Sequence, residues 1–367
     1  MIYSKVNKKL ISQPWLAVVP LCLLGLYLRF GVRMRQELGG DELYQLQVID
    51  KPFLDFIRDL PKADFCSYLN GDYFLMYPFL KLFGFNKLLL AIPHFILTVS
   101  GFYLLYVLCK RYFRTIWAYL ITFSIACFNA TLVAHALEIR TYAVLPTLAL
   151  GVFLVMEDTV TKIASLSFSQ KRLAWVFCVF VTLFHPYGIL MLAFVTFYLL
   201  LTLERRFQTR KTVGEVMWFC CGVFLTALPL WCISILGEHR AYDWQHIQNV
   251  FQYIPSPVNN VAGFLKGIFC NLIGYKAFYV LSFALFFPFL LPYDARFKQI
   301  LFFLVLIILP IGTILLLDLK SGYWFLQRQF IWVMPFWAFL LGWSWDCFID
   351  YFQRKINSSP TAMAKKI

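Results

Sequence analysis

Ser12–Phe30 reads SQPWLAVVPLCLLGLYLRF, and Asn86–Leu108 reads NKLLLAIPHFILTVSGFYLLYVL. Each run is close to the roughly 20 mostly apolar residues that a helix needs to cross the hydrocarbon of a bilayer. The same signature recurs at 115–134, 140–156, 173–185, 187–203, 216–236, 275–292, 300–317 and 329–347. The sequence therefore predicts an all-α polytopic membrane protein with about ten transmembrane helices. Two further apolar pieces, 73–84 and 258–274, read as re-entrant or partly inserted segments.

Composition agrees. With 61% hydrophobic and 14% charged residues, a chain of 367 residues has too little polar surface to coat a soluble globule. The apolar spans occupy most of residues 1–348, which leaves a tail over 349–367 and no room for a large soluble domain.

Orientation follows from Lys and Arg in the short connections. With the N-terminus cytoplasmic, the inside segments hold Lys5, Lys8 and Lys9, then Lys110, Arg111 and Arg114, then Lys162, Lys171 and Arg172. Further along they hold Arg205, Arg206, Arg210 and Lys211, then Arg296 and Lys298, and finally Arg354, Lys355, Lys365 and Lys366. Most of the acid falls outside, in Asp41, Glu42, Asp50, Asp55, Asp59, Asp64, Asp72, Glu138, Glu238, Asp243 and Asp318. Both termini are then cytoplasmic, and the first span reads as an uncleaved anchor because no small-residue cleavage site precedes Arg29 and Arg33. The net charge of +14 is explained by this topology and by anionic headgroups, so no nucleic-acid partner is called for. Short loops tilt the reading towards a bacterial inner membrane.

The outside segments 31–72 and 237–260 are long, and long loops on one face point to work on that face. In the first of them, Gly39-Gly40-Asp41 reads as a turn and helix cap, with Leu43, Leu46 and Ile49 at helical spacing. Pro52 closes that helix and opens a second, whose apolar face is Phe53, Phe56, Ile57 and Leu60. Both are expected to lie flat in the outer interface as amphipathic helices.

Several residues of this face could carry chemistry. Asp41 and Glu42 stand together after two glycines. Either Asp41 caps the helix, with Glu42 near its positive end, or the glycines admit a substrate whose proton Asp41 takes. Glu138, Arg140 and Tyr142 bring a carboxylate, a guanidinium and a phenol to the membrane edge, as a local ion pair or as a site wall. Arg328 offers a planar fork of donors for a phosphate, or snorkels to the interface. His185, before Pro186, marks the hairpin between the fifth and sixth spans and otherwise reads as a hydrogen-bonded turn residue. The outer histidines His135, His185, His239 and His246 have no i, i+4 pairing, so no metal site is indicated; a divalent ion is not required, though one could assist. Asn129 and Asn357 begin glycosylation patterns but fall in a span and on the inside, and the ten cysteines form no C-x-x-C pair.

Taken in order, these pieces resemble the GT-C superfamily of polyprenyl-phosphate-sugar-dependent glycosyltransferases, in the branch of the protein O-mannosyltransferases and the aminoarabinose transferases. The resemblance rests on Gly40-Asp41-Glu42-Leu43-Tyr44, on Gly71-Asp72-Tyr73-Phe74 with Pro78, and on Glu138-x-Arg140-x-Tyr142. It continues with His185-Pro186-Tyr187-Gly188 and with Arg328-Gln329-Phe330 ahead of Pro335. It implies a sugar donor on a polyprenyl phosphate and a lipid, glycan or protein acceptor. By position it makes Asp41 the base, with Glu42 beside it for orientation. It gives Arg140 and Arg328 to the donor phosphate, with Asp72, Glu138, Tyr142 and His185 as further substrate-binding residues. The chain departs from the family in lacking a large outer domain and in keeping only Asp72-Tyr73-Phe74 of the proline-rich stretch. The alternative is a transporter or flippase of lipid-linked sugars, in which the same residues line a pathway.

Overall fold

The computed structural model describes residues 13–59, 71–185, 187–202, 210–236, 261–273, 282–287, 295–321 and 327–357, and every regular element among them is helical. The chain opens with α1 (Trp15–Arg35), followed by α2 (Gly40–Ile49), α3 (Phe53–Asp59) and α4 (Gly71–Phe83). The short α5 (Lys87–Leu90) leads into α6 (Ile92–Tyr112), and α7 (Ile116–Phe128) continues through a break into α8 (Ala130–His135). A 3-10 turn at Thr141–Ala143 precedes α9 (Leu145–Thr161), α10 (Phe168–Val181), α11 (Tyr187–Leu201), α12 (Arg210–Leu236) and α13 (Val261–Ile273). After a 3-10 turn at Phe283–Phe286 come α14 (Ala295–Phe303) and α15 (Val305–Ser321), then a 3-10 turn at Gln327–Val333 and α16 (Met334–Asn357).

Among the described residues, four stretches are long and apolar enough to cross a membrane: Trp15–Arg35, Lys87–Tyr112, Thr212–Pro229 and Gln299–Leu316. Their flanks present large apolar side chains outward, with Leu23, Tyr27, Trp218, Leu225, Ile308 and Leu316 all exposed. An apolar girdle of this kind is what a helix bundle turns towards lipid, and water would not tolerate it. The other predicted spans meet shorter or interrupted helices. The segment 115–134 breaks at Asn129, whose side chain accepts from Leu132 N at 3.0 Å and so starts a new helix. Helices α9, α10 and α11 run 17, 14 and 15 residues, and α16 mixes Asp346, Asp350, Arg354 and Lys355 into its length. The predicted span 275–292 and the long segment 237–260 lie mostly or wholly outside the described residues.

The two short helices expected after the first span are present as α2 and α3, but their buried faces differ from the apolar spacing. In α2 the buried residues are Glu42, Gln45, Leu46 and Ile49, while Leu43 is exposed. In α3 Phe56 is fully buried, whereas Phe53, Leu54 and Ile57 face outward. The reason is that α2 packs on α4, forming a satellite core of Leu46, Ile49, Phe56, Tyr73, Met76, Leu80, Leu90 and Ile139. Polar partners for Glu42 and Gln45 lie on that side, so hydrogen bonding turns the helix as much as apolar area does.

The main core centres on α16, which runs against α7. A Cβ at Gly342 would stand 2.0 Å from Thr122 Oγ1 and 2.7 Å from the Ala118 carbonyl, so only glycine allows this approach. Phe113 and Phe339 stack at 5.2 Å, and Trp343 and Phe303 complete the aromatic layer. Asp346, fully buried one turn further on, fastens the end of this interface. Its carboxylate accepts from Thr115 N at 2.7 Å and from Arg114 N at 3.0 Å, which are unpaired donors at the start of α7, and it pairs with Arg296 of α14. Asp346→Ala takes the acceptor from the Thr115 and Arg114 amides and leaves Arg296 paired with Asp350 alone, and is expected to destabilise the bundle by about 1–3 kcal/mol. A midpoint shift in thermal or denaturant unfolding of the purified protein measures this.

Candidate functional site

Helix α2 starts on a glycine pair because its N-cap, Gly39, sits in extended conformation and closes a tight link from α1. Glu42, at the third helical position, reaches back so that its Oε2 accepts from Gly39 N at 2.9 Å. Its Oε1 accepts from Arg33 Nη1 at 2.8 Å and from Ile139 N at 2.7 Å. Arg33 and Glu42 are both buried. One carboxylate thus joins α1, the start of α2 and the turn that precedes Arg140. Glu42, expected beside the reacting atoms, is wholly engaged in this clamp. The cap expected of Asp41 falls to Gly39, and Asp41 is left on the surface of the first turn.

There Asp41 forms an ion pair with Arg140 Nη1. The Asp41 side chain is 62% exposed and that of Arg140 18%, so the carboxylate faces out and the guanidinium is held from behind. Arg140 lies 5.2 Å from the centroid of the Tyr142 ring, a cation–π contact. Tyr142 in turn lies 5.5 Å from the His185 ring, and His185 lies 4.6 Å from Tyr187.

His185 sits in the turn after α10, which ends at Val181, rather than within the span. Its Nδ1 accepts from Tyr187 N at 3.1 Å, which assigns the neutral-state proton to Nε2. Burial and the nearby Arg140 charge push its pKa down from 6.5 to about 3. His185 is therefore neutral at neutral pH. In that state it offers a hydrogen-bond donor at Nε2 and no second positive charge beside Arg140.

The remaining expected residues are placed as follows. Asp72, in the first turn of α4, is fully buried, with Oδ1 3.0 Å from His94 Nε2 and Oδ2 accepting from Gln45 Nε2 at 2.6 Å. It ties α4 to α2 and α6 and does not face the Asp41 pair. Gly71 N donates to the Leu183 carbonyl at 3.1 Å, so the same helix start also holds the turn that carries His185. Glu138 Oε1 stands 2.9 Å from His135 Nδ1. Arg328 lies on the 3-10 turn at Gln327–Val333, which packs against the Thr141–Ala143 turn; its side chain lies outside the described residues. The structure thus brings Asp41, Arg140, Tyr142 and His185 together, sets Glu42 beneath them, and seats Asp72 in a separate buried pair.

Four residues at this end were given no role in the sequence reading: Arg29, Arg33, Gln45 and His94. The two arginines carried a usable signal. They stand four apart near the end of an otherwise apolar run, hence on one helix face, where an ionisable residue needs a partner or a role. Comparison with protein-family models finds no match for the chain, and comparison with curated proteins finds none either.

Glu42→Ala is expected to cost about 3–5 kcal/mol of stability, because Arg33 would stay buried without its counter-charge; unfolding midpoints in detergent read this directly. The His185 pKa shift has a definite sign. The unfolded chain takes up a proton near the ordinary histidine value and the folded chain does so only near 3. Stability from this residue is therefore lost as pH falls through that window. The difference in unfolding temperature between the natural chain and His185→Gln should shrink steadily from pH 7 to about pH 4.

Proposed function

We propose that the chain is a membrane glycosyltransferase that moves a sugar from a polyprenyl-phosphate donor to a lipid, glycan or protein acceptor. The work would be done on the outer face of a bacterial inner membrane. The observation that carries the reading is the exposed carboxylate of Asp41 opposed to Arg140, whose guanidinium is held over Tyr142 with neutral His185 behind it. Transfer needs a base for the acceptor and fixed positive charge for the departing phosphate, and these two groups supply them side by side. The ordered resemblance to the GT-C superfamily, from Asp41-Glu42 to Arg328, points the same way.

In this reading the donor phosphate draws Arg140 away from Asp41. The freed carboxylate takes the proton of the acceptor hydroxyl or amine, the acceptor bonds to the anomeric carbon, and the bond from that carbon to the phosphate oxygen breaks. The phosphate leaves with its charge held by Arg140 and by hydrogen-bond donors such as Nε2 of His185. Glu42 and Arg33 keep the two reacting segments in register without touching substrate. Arg328 is a further candidate for the phosphate, from a turn that packs beside Tyr142.

One observation favours the second reading, a flippase for the same lipid: Arg29 is buried inside α1 beside a cavity, where an ion pathway would place charge. The purified protein in nanodiscs, supplied with radiolabelled polyprenyl-phosphate sugars and membrane extract, separates the two. Sugar transfer that falls by about 10²–10⁴ in Asp41→Asn, with donor binding kept, is the expected result. Movement of labelled lipid across vesicles with no transfer to any acceptor would hand the case to the flippase.

A further inference from the structure

Cys22 of α1 and Cys127, in the last turn of α7, are far apart in the chain and give no spacing signal, yet the fold sets their free thiols against each other. The Cys127 thiol donates a hydrogen bond to the Cys22 sulfur. A close approach of the two helices makes this contact. At Gly25, one turn beyond Cys22 on the same face of α1, an added Cβ would stand 2.8 Å from Cys127 Cβ and 3.1 Å from Cys127 Sγ. A disulfide needs Cβ atoms about 4 Å apart, and glycine at a helix contact is what lets two backbones approach in that range.

The surroundings are those of a reactive pair rather than of inert core cysteines. The same added Cβ at Gly25 would stand 3.1 Å from Arg29 Nη1, so the guanidinium and the Cys127 sulfur border one gap. Main-chain carbonyls hold the cation there, with Nη1 donating to Cys127 O at 2.8 Å and Nη2 to Ala126 O at 2.8 Å. A fixed positive charge beside a thiol favours the thiolate, which is the form that attacks a second sulfur. Cys127 is buried, whereas Cys22 is partly exposed and flanked on α1 by the outward-facing Val19 and Leu23. Cys22 lies about 20 Å from the Arg35 end of α1, at apolar depth in a span of this length. An oxidant for this pair must therefore dissolve in lipid. Little apolar area holds α1 to the bundle, since its buried residues are Val18, Gly25, Arg29 and Arg33, so a covalent tie at Cys22 would add to a thinly packed contact.

We propose that Cys22 and Cys127 form a site of reversible oxidation, which takes a lipid-soluble quinone and closes to a disulfide that fastens α1 to α7. The Cys22 sulfur bonds to the quinone, the Cys127 thiolate attacks that sulfur, and the S–S bond forms as the bond to the quinone breaks. The two thiols give up two electrons and two protons, and the quinone takes all of them and departs as quinol. The site is separate from the Asp41–Arg140 pair and does not depend on the chain being a transferase.

The test treats the full purified chain in nanodiscs with duroquinone, whose ring positions are all methylated so that no stable thiol adduct forms. Remaining thiols are then alkylated, and linked peptides are mapped by mass spectrometry. A Cys22–Cys127 linked peptide should appear with one quinol per disulfide and vanish on treatment with dithiothreitol. The oxidised chain should unfold at a higher temperature than the reduced one, because a cross-link over about 100 residues removes freedom from the unfolded state. Cys127→Ala opens a gap in the core and can fail to fold, so Cys22→Ala, at a partly exposed position, is the deciding variant and should abolish both the linked peptide and quinol formation. Cys221→Ala, at an exposed cysteine, should change neither. Absence of the linked peptide, quinol formation unchanged in Cys22→Ala, or quinol formation lost in Cys221→Ala would each overturn the proposal.

Discussion

The buried carboxylate of Glu42 is the constraint on which the Asp41 end of the bundle depends. Arg33 comes from α1, the Gly39 amide from the link after it, and the Ile139 amide from the turn between α8 and α9. Arg33 and Gly39 are near Glu42 in the chain, but Ile139 is 97 residues away, so the carboxylate ties the start of α2 to a distant turn. A charged acceptor satisfied by three donors is strong because no water competes for it, and costly to break for the same reason. Its consequence is geometric. Asp41 is the residue before Glu42 and Arg140 the residue after Ile139, so a clamp between the inner pair sets the outer pair face to face.

A second constraint is the interruption of α7 at Asn129. An unbroken helix through 135 would satisfy its own carbonyls and leave Arg29 only the Gly25 carbonyl of its own helix. The break frees Ala126 O and Cys127 O, and Arg29 takes both. Gly25 permits the approach, since a Cβ there would stand 2.8 Å from Cys127 Cβ. The buried arginine, the helix break and the cavity are thus one feature seen from three sides.

Much of the helical architecture was legible because apolar runs of membrane length have few other uses. The first outer loop was also readable, through Gly39-Gly40 as a start and Pro52 as a stop. The count of ten spans did not follow as clearly. Hydropathy registers mean apolarity, while Asn129 breaks a helix through one side-chain hydrogen bond that leaves the mean almost unchanged. The faces of α2 and α3 were misjudged for a related reason. Apolar spacing put Leu43 inward, but Glu42 and Gln45 had polar partners on α1, α4 and the Ile139 turn that no local pattern reveals. Among site residues, Asp41, Arg140, Tyr142 and His185 converge as their shared end of the bundle led one to expect. Glu42 and Asp72 looked like chemistry because acids at a membrane edge are unusual, and the structure shows both buried and hydrogen-bonded between segments.

That division between scaffold and site has a physical logic. Acids whose oxygens are filled by several donors, as in Glu42, Asp72 and Asp346, are expensive to disturb and so make good fasteners. Asp41 differs because its side chain is more than half exposed and its counter-charge is a guanidinium that a phosphate oxygen can claim equally well. The Asp41–Arg140 pair is therefore the exchangeable contact at this end, standing on contacts that are not. Exchange requires that neither neighbour compete for the incoming anion. Tyr142 meets this by presenting a ring face to Arg140, and His185 meets it by staying uncharged, so in the proposed reaction the donor phosphate would meet one cation whose present partner is a solvated carboxylate.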